Sequence, residues 1–368
     1  LDSSSIVNFA REIDKNIQCF TIDGSKYNDN EGILGDIDYA KQVSKYLNVP
    51  LEIVEIDHAK LARGFENMIS QLDEPLADPA PLNVFWISEI ASQLGIKVLL
   101  SGAGGDDLFT GYRRHLALNL EKYWEWLPKN IKLKLEKGTA TLPISNPFFR
   151  RLSKLFSAAS LSKEERLINY FRWTKRKDLE KLYSKKFRKL INFQEIDAPI
   201  REFVLRMPED MHSLTKMLCL EQRFFLSDHN LIYTDKMSMA LGIETRVPFL
   251  DPDLVSFSRS IPLKWKQKGR VGKWILKKVM EPYLPQNVIY RPKSGFGAPI
   301  RYLLKNDLRD WLFEILSKER LSSRGIFDHN AVHDLILKSE SGQIDASYTI
   351  LSLLSIELWC SSYLSLKI

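Results

Sequence analysis

VLLSGAGGDD, residues 98–107, is an apolar run that passes directly into a glycine-rich turn and then into two aspartates. In a parallel sheet, ligands bind beyond the carboxyl ends of the strands, and glycines there let backbone N–H groups come close to a phosphate. Two carboxylates beside a phosphate repel it unless a hard cation such as Mg²⁺ bridges them. The run therefore favours a nucleotide site, and a tight turn before an acidic helix N-terminus is an equally good alternative.

The residues before this run alternate between β-like and helical stretches. In chain order they predict a strand, a helix, a strand, a helix and a buried strand. The stretches are CFTI at 19–22, DIDYAKQVSKYLN at 36–48, LEIVEID at 51–57, NVFWISEIASQLG at 83–95 and IKVLL at 96–100. Such alternation is typical of βαβ units, whose right-handed crossovers place helices on both faces of an open parallel sheet. Since the β signal nearly vanishes beyond about residue 113, we predict an α/β core over 1–120 and a mainly helical lobe over 121–368.

The composition is that of an ordinary globular protein, with 368 residues, 44% of them hydrophobic and 27% charged. This excludes disordered, collagen-like and disulfide-scaffold classes. The three cysteines are widely separated and lack metal-ligand spacing, which fits a reducing compartment. No apolar run approaches the roughly 20 residues that span a bilayer, and the first ten residues lack the order of a secretory signal. We therefore predict a cytoplasmic protein without a membrane partner.

The positive charge is concentrated in one part of the chain. The formal net charge is +7, but residues 121–190 hold 19 Lys and Arg against 7 Asp and Glu, so the rest of the chain is mildly acidic. This window has helical periodicity, and exposed helical faces commonly carry such charges. We interpret it as a solvated helical face, with a docking surface for an anionic partner or substrate as the alternative. No nucleic-acid recognition motif accompanies it, and we predict no nucleic-acid partner.

Two further segments have patterns that suit an anionic ligand. Asp2-Ser3-Ser4-Ser5 precedes IVNFAREI and predicts a capped helix N-terminus, whose unpaired N–H groups attract phosphate. RPKSGFGAP at 291–299 places Lys293 between a proline and two glycines, which suits a loop that closes over a ligand. Lysine in such a loop can neutralise phosphate charge. A capped helix and a basic surface turn without function are the alternatives.

The segment DKMSMALGIETRVPFLD, residues 235–251, carries charges of alternating sign among small and apolar residues. Lys and Glu rarely enter a protein interior unpaired. The pattern therefore predicts a buried ionic network, with a purely structural pair between Arg246 and Asp251 as the favoured interpretation.

Together, and in this order, these segments resemble the synthetase domain of glutamine-dependent asparagine synthetase and its close relatives. The matching landmarks are FTI at 20–22, DEPLADP at 73–79, SGAGGDDLFTGY at 101–112, DKMSMA at 235–240, ETRVPFLD at 244–251, GKWILKK at 272–278 and RPKSGFGAPI at 291–300. The resemblance extends from residue 1 to at least residue 300. Seven ordered matches are far more specific than any one of them.

The resemblance implies a fold and a reaction. The fold is α/β, with a Rossmann-like ATP-pyrophosphatase core of the adenine nucleotide alpha hydrolase-like type and a helical lobe, forming one synthetase domain over 1–368. The reaction uses ATP and Mg²⁺ to adenylate a carboxylate, aspartate in the first instance, with release of pyrophosphate. Ammonia from glutamine then displaces AMP and gives asparagine. The implied partners are a small-molecule carboxylate, the ammonia that a glutaminase domain supplies, and a second copy of the chain in a homodimer.

The resemblance also assigns roles to individual residues. Asp2 and Asp106 would hold the Mg²⁺ that bridges the ATP phosphates, and Ser3 would help to cradle pyrophosphate. Lys293 resembles the family's essential lysine, which stabilises negative charge during adenylation, and such preorganised charge is often worth a few kcal/mol. The catalytic candidates are thus Lys293, Lys273 and Glu244, and the nucleotide-binding candidates are Asp2, Ser3, Ser101, Gly102, Gly104 and Asp106.

Two positions depart from the family pattern, and so does the start of the chain. Ala103 stands where asparagine synthetases carry an acid, and Tyr233 stands where they often carry Lys or Arg. An amidotransferase acting on another carboxylate, such as a glycan uronic acid, is therefore the alternative, and a non-catalytic scaffold is a second one. Leu1, Asp2 and Ser3 match the last three positions of the family's S-G-G-x-D-S loop. We accordingly expect the chain to start within that loop, to lack the glutaminase domain, to bind ATP poorly and to be inactive alone.

Overall fold

A computed structural model of the chain describes residues 1–23, 36–55, 61–142, 147–292 and 299–364. Contacts between Cα atoms divide the chain into two compact units. The first unit consists of Leu1–Ile56, Ala80–Tyr123 and Glu209–Ala298, and the second of Asp57–Pro79, Trp124–Pro208 and Pro299–Ile368. Residues 209–298, which the sequence groups with the helical lobe, thus pack with the first unit.

Helices form most of the described chain. In chain order they are α1 (Asp2–Ile13), α2 (Asp36–Leu47), α3 (Leu61–Ser70), α4 (Ala80–Gln93), α5 (Gly105–Phe109), α6 (Arg113–Glu121), α7 (Lys129–Ala140), α8 (Pro147–Phe156), α9 (Lys163–Asn169), α10 (Arg176–Leu182), α11 (Lys185–Arg188), α12 (Ala198–Leu205), α13 (Ser213–Leu220), α14 (Ile232–Met239), α15 (Pro252–Ser260), α16 (Leu263–Lys266), α17 (Trp274–Met280), α18 (Gln286–Ile289), α19 (Ile300–Lys305), α20 (Arg309–Ile315), α21 (Lys318–Arg324), α22 (His329–Glu340) and α23 (Ser347–Tyr363). A π-helix over Glu221–Leu231 joins α13 to α14, and a 3₁₀ turn covers Pro248–Leu250. No helix in the described ranges is both long and apolar enough to cross a lipid bilayer.

The strands of the first unit are short and parallel. β1 (Cys19–Asp23) pairs with β2 (Leu51–Glu55), with Cys19 opposite Leu51. β3 (Val98–Leu100) pairs with β4 (Glu244–Arg246), with Val98 opposite Glu244. The α/β class is therefore confirmed, and the described residues form two two-stranded sheets rather than one open sheet.

The elements predicted before residue 100 are present, but the prediction that β3 is buried was wrong. Val98 is 39% exposed and Leu100 is 48% exposed. Among the described residues β3 pairs with β4 alone, and side chains on alternate positions of so narrow a sheet stay open to solvent on one side. β4 was not predicted, because Glu-Thr-Arg lacks the apolar pattern of a buried strand.

A compact apolar cluster holds α1 and α5 together in the first unit. Ile6 of α1 packs with Leu108 and Phe109 of α5, and the cluster is completed by Phe249 and Ile261. The Phe109 and Phe249 rings meet edge to face, with centroids 6.4 Å apart. Burial of each such side chain is worth about 1.5–3 kcal/mol. This core therefore fixes the N-terminus of α1 beside the turn that leads into α5.

The regular secondary-structure elements described in the second unit are all helices. Its last helix, α23, lies along α3 and the segment that follows it. The indole Nε1 of Trp359 donates to the carbonyl of Leu72 (3.1 Å), and the hydroxyl of Ser355 donates to the carbonyl of Leu76 (2.8 Å). The DEPLADP segment is thus tied to the C-terminal helix of its own unit.

Candidate active site

The N-terminus of α1 lies directly against the glycine-rich turn. A Cβ atom added at Gly102 would come within 2.7 Å of the backbone nitrogen of Ser3 and 3.0 Å of the Cβ of Asp2. Only glycine permits this approach, because real Cβ atoms do not come closer than about 3 Å. The structure thus brings Asp2, Ser3 and Gly102 together, and their binding of phosphate stays a prediction. Gly104 faces elsewhere, since its added Cβ would lie 2.4 Å from Cδ2 of Leu250.

A buried lysine joins the two predicted metal-binding aspartates. The Nζ atom of Lys273 donates to Oδ2 of Asp2 and lies 2.6 Å from Oδ1 of Asp106. The three side chains are only 8%, 19% and 16% exposed, respectively. Burial by itself lowers the pKa of Lys273, but the charges and hydrogen bonds of the two carboxylates outweigh it and raise that pKa above its usual value. Lys273 therefore carries a positive charge between two carboxylates.

The backbone around Lys273 places this ammonium group. Lys273 has a φ of +54°, in the left-handed region, and precedes α17. Its N–H group donates to the carbonyl of Phe109 (2.8 Å), which ties it to the end of α5. Opposite it stands Gly111, where an added Cβ would lie 1.6 Å from Oδ1 of Asp106 and 2.3 Å from Cε of Lys273. A left-handed lysine costs about 1 kcal/mol or more, so the fold maintains this geometry against a local preference.

The two carboxylates suit a metal ion that is shared with a phosphate ligand. Oδ1 of Asp2 is buried and accepts no hydrogen bond from the described residues. Mg²⁺ typically binds one or two carboxylates together with phosphate oxygens and water. In the described ranges no group of three or more His, Cys, Asp or Glu could hold a metal by itself. The chemistry of Asp2 and Asp106 thus suits a magnesium ion that would take its remaining ligands from phosphate oxygens and water.

Ser101 supports the turn through its backbone and hydroxyl group. Its N–H donates to the carbonyl of Arg246 (2.8 Å), and its Oγ accepts from the N–H of Ala103 (3.3 Å).

The sequence analysis did not identify Lys277 as a residue near the candidate site. It follows Lys273 by one helical turn on α17, and burial, with the neighbouring charge of Lys273, lowers its pKa. The four-residue spacing within GKWILKK was the signal that could have identified it.

The predicted buried network around residues 244–251 was wrong. Glu244 binds Arg246 through two hydrogen bonds of 2.8 and 3.2 Å, and both side chains are more than half exposed. Residues two apart on a strand share one face, which explains this pair. Asp251 instead accepts from the N–H groups of Asp253 and Leu254, and so caps α15. The catalytic candidate Glu244 is thus paired with Arg246 and not with Asp2 or Lys273.

The two positions that depart from the family pattern lie in the first unit. Ala103 is half-buried in the turn, and Tyr233 is 8% exposed and packs edge to face on His229, with ring centroids 5.4 Å apart. Lys293 lies outside the described residues. The segment before it is held to α2, because Arg291 forms an ion pair with Asp36.

A buried polar network that the sequence did not reveal lies beyond Asp106. Glu221 is completely buried, forms an ion pair with Arg114 and lies 2.5 Å from Nε2 of His115. Nδ1 of His115 accepts from the N–H of Tyr112, so Nε2 is the nitrogen that donates to Glu221. Burial, followed by the charges of Glu221 and Asp106, raises the pKa of Asp107 to about 7. The start of the π-helix is thus fixed to the N-terminal turn of α6.

Comparison with known proteins agrees with this geometry. The family model described as Asparagine synthase matches residues 1–361. The chain is 27% identical over 320 residues to "Asparagine synthetase [glutamine-hydrolyzing] 1" of Bacillus subtilis (strain 168), covering 87% of this chain and 48% of that protein. It is 30% identical over 292 residues to "Putative asparagine synthetase [glutamine-hydrolyzing]" of Mycobacterium bovis, covering 78% and 42%.

A fungal protein is also similar, at lower identity. "Amidase chyE" of Penicillium rubens is 24% identical over 356 residues, covering 91% of this chain and 51% of that protein. The chain therefore spans about half the length of the curated relatives it matches. Because the family model covers nearly every residue, and because the turn, the two aspartates and the lysine meet in one place, the chain belongs to the asparagine synthase family.

Proposed function

We propose that the complete protein is an ATP-dependent ligase that converts a carboxylate into an amide. One observation supports this above all: Asp2, Asp106 and Lys273 meet in one buried cluster beside the glycine-rich turn. Two carboxylates for a metal, and a lysine beside them, suit the transfer of a nucleotidyl group better than hydrolysis by a protein nucleophile. A Rossmann-like ATP-pyrophosphatase core is the fold we propose for this unit.

In the proposed reaction, ATP is the co-substrate. An oxygen of the acceptor carboxylate attacks the α-phosphorus, the bond from that phosphorus to the bridging oxygen breaks, and pyrophosphate leaves. Ammonia then attacks the activated carbonyl carbon, AMP leaves with the carboxylate oxygen, and the nitrogen loses a proton to give the amide. Glutamine is the ammonia source we propose for the complete protein, on the basis of the family.

The residues of this chain would neutralise the charge of the ATP phosphates and hold them in position. Asp2 and Asp106 would hold Mg²⁺, which neutralises phosphate charge when bound. Ser3 and the turn around Gly102 would offer N–H groups and a hydroxyl to the pyrophosphate oxygens. Lys273 is placed to stabilise charge on the leaving group, and Lys293 is proposed for the same role. The catalytic role of Glu244 stays a prediction, as do the cytoplasmic location and the homodimer.

Aspartate is the first acceptor to test, and another carboxylate is the alternative. Ala103 cannot hold an ammonium group, and Tyr233 is uncharged and buried against an aromatic ring. The first observation favours an acceptor without an α-amino group, and the second favours an acceptor without a second carboxylate, such as a uronic acid. A scaffold without catalysis is the remaining alternative.

The test is ATP–pyrophosphate exchange by the complete gene product, with aspartate, glucuronate and galacturonate as acceptors and without a nitrogen source, because ammonia would consume the adenylate. We expect exchange with one acceptor, and a loss of about 100-fold or more in the Asp106→Asn variant, because one preorganised charged group is worth that much. Asp310→Asn is the matched control, since Asp310 is fully exposed in the second unit. Absence of exchange with every acceptor, or full activity of Asp106→Asn, would refute the ligase proposal. Exchange with a uronic acid alone would exclude aspartate.

A further inference from the structure

The aspartate pair already has a cation beside it. One ammonium group, that of Lys273, contacts both Asp2 and Asp106. All three side chains are largely removed from solvent, so their charges interact more strongly than charges on the surface would. The pair is therefore neutralised in part by the protein itself.

The position of this ammonium is built into the backbone. Lys273 follows a tight segment in which its own N–H binds the carbonyl of Phe109, and its φ is positive. The hydroxyl of Thr110, the neighbour of Phe109, donates to the carbonyl of Lys266 (2.9 Å), which holds the two segments together a second time. Because Gly111 has no Cβ atom, the Lys273 side chain can pass beside it, and any larger residue at position 111 would collide with that side chain. The lysine thus stands between the carboxylates as a fixed part of the fold.

We propose that Lys273 is the resident counter-ion of Asp2 and Asp106, and that it makes the binding of a divalent cation conditional on a phosphate-bearing ligand. A metal ion that arrives alone meets an ammonium group within contact distance of both carboxylates and is repelled by it. A polyphosphate offers the ammonium other oxygens, so that metal and nucleotide enter together. The buried Oδ1 of Asp2 is the oxygen that then becomes available to the metal. This inference rests on the proposed function only in taking the ligand to carry phosphates.

Thermodynamic linkage predicts how the charge of Lys273 changes the affinity for the metal. If the ammonium opposes the metal, the metal opposes the ammonium equally, and removing the positive charge must strengthen binding of the metal alone. Such couplings typically change an affinity by about 5- to 150-fold. The effect should depend on charge at this position and not on loss of a buried lysine elsewhere.

The experiment measures binding of Mn²⁺ alone to the complete gene product, by titration calorimetry and by the electron paramagnetic resonance signal of free Mn²⁺. We expect Lys273→Met and Lys273→Gln to bind Mn²⁺ about tenfold more tightly than the wild type, or better. Lys273→Arg should stay weak because it keeps the charge. Lys216→Met is the matched control, since Lys216 as a whole residue is as buried as Lys273 but donates to the backbone carbonyl of Glu209.

The outcomes separate this inference from the ligase proposal. Adding Asp106→Asn to Lys273→Met should remove the gain, which places the bound ion at the aspartate pair. Equal Mn²⁺ affinity in wild type and in a folded Lys273→Met or Lys273→Gln variant would overturn the inference. If neither variant folds, the wild type decides: equal affinity for Mn²⁺ with and without saturating pyrophosphate contradicts the inference, and an affinity at least about fivefold higher with pyrophosphate supports it. Absence of pyrophosphate exchange would refute the ligase proposal and leave these metal affinities unchanged.

Discussion

The Gly111→Ala substitution tests the geometry of the candidate active site with one methyl group. The added Cβ would lie 1.6 Å from Oδ1 of Asp106 and 2.3 Å from Cε of Lys273, and both distances must increase to at least 3.0 Å. The backbone at Gly111 is outside the left-handed region, so the effect comes from the side chain alone. The carboxylate and the ammonium must therefore separate or move together, away from the positions that bind a ligand.

The size of the effect follows from this displacement. Overpacking typically costs about 1–3 kcal/mol of stability, and a misplacement of about 1 Å at a reacting group can cost about 100-fold in rate. We expect the free energy of unfolding in urea to fall by about 2 kcal/mol, and pyrophosphate exchange by the complete gene product to fall about 100-fold.

Gly138→Ala is the control for this substitution. Gly138 lies within α7 and has no atom within 4 Å of its added Cβ, so alanine there should raise stability by about 0.5–1 kcal/mol and leave exchange unchanged. If Gly111→Ala unfolds at the same urea concentration as the wild type and keeps wild-type exchange, the contact between Asp106 and Lys273 is not formed as described.

Three further predictions concern charges and a helix end. Burial lowers the pKa of Lys266 from 10.5 to about 8, so the unfolded chain binds more protons than the folded chain between these pH values. The stability of the wild type minus that of Lys266→Met should therefore rise with pH across this interval, by about 1–3 kcal/mol in urea titrations. A difference that does not change with pH would contradict the burial of Lys266. Glu221→Gln removes the charge of a fully buried carboxylate that faces the partly buried Arg114, and should cost about 3 kcal/mol in the same assay; a loss below about 1 kcal/mol would show that the pair contributes little. Asp251→Ala removes the cap of α15 and should cost about 1 kcal/mol, whereas Asp310→Ala, on an exposed side chain, should cost close to nothing; equal values for the two would argue against the cap.

The sequence predicted the elements that depend on local pattern. β1, α2 and α4 follow from alternation and helical spacing within each segment, and the structure has them within a few residues of the expected bounds. The close approach of Asp2 to Gly102 followed only from the family resemblance, because no local pattern links these two distant segments. Local signals were thus sufficient for these elements.

Features that join distant segments were not predictable from pattern. Asp2 and Lys273 are 271 positions apart, and nothing near either residue indicates the other. β4 exists because Glu244–Arg246 lies beside β3, and its own sequence carries no strand signal. The pairing of Arg246 with Asp251 was wrong because Asp251 is used by the start of α15, a local demand that outweighed the ion pair. Which of two possible partners a side chain contacts thus depends on the tertiary structure.

The left-handed backbone of Lys273 has a consequence for evolution at this position. Glycine and asparagine adopt this conformation with less strain than lysine, so either would relieve the backbone at residue 273. Neither could bridge Asp2 and Asp106. Loss of the ammonium would leave two largely buried carboxylates unpaired, at a cost of about 3–5 kcal/mol. Selection for heat resistance and selection for turnover therefore both keep the lysine in spite of its strained backbone. Directed evolution of a more stable enzyme should hold residue 273 fixed and draw its substitutions from elsewhere.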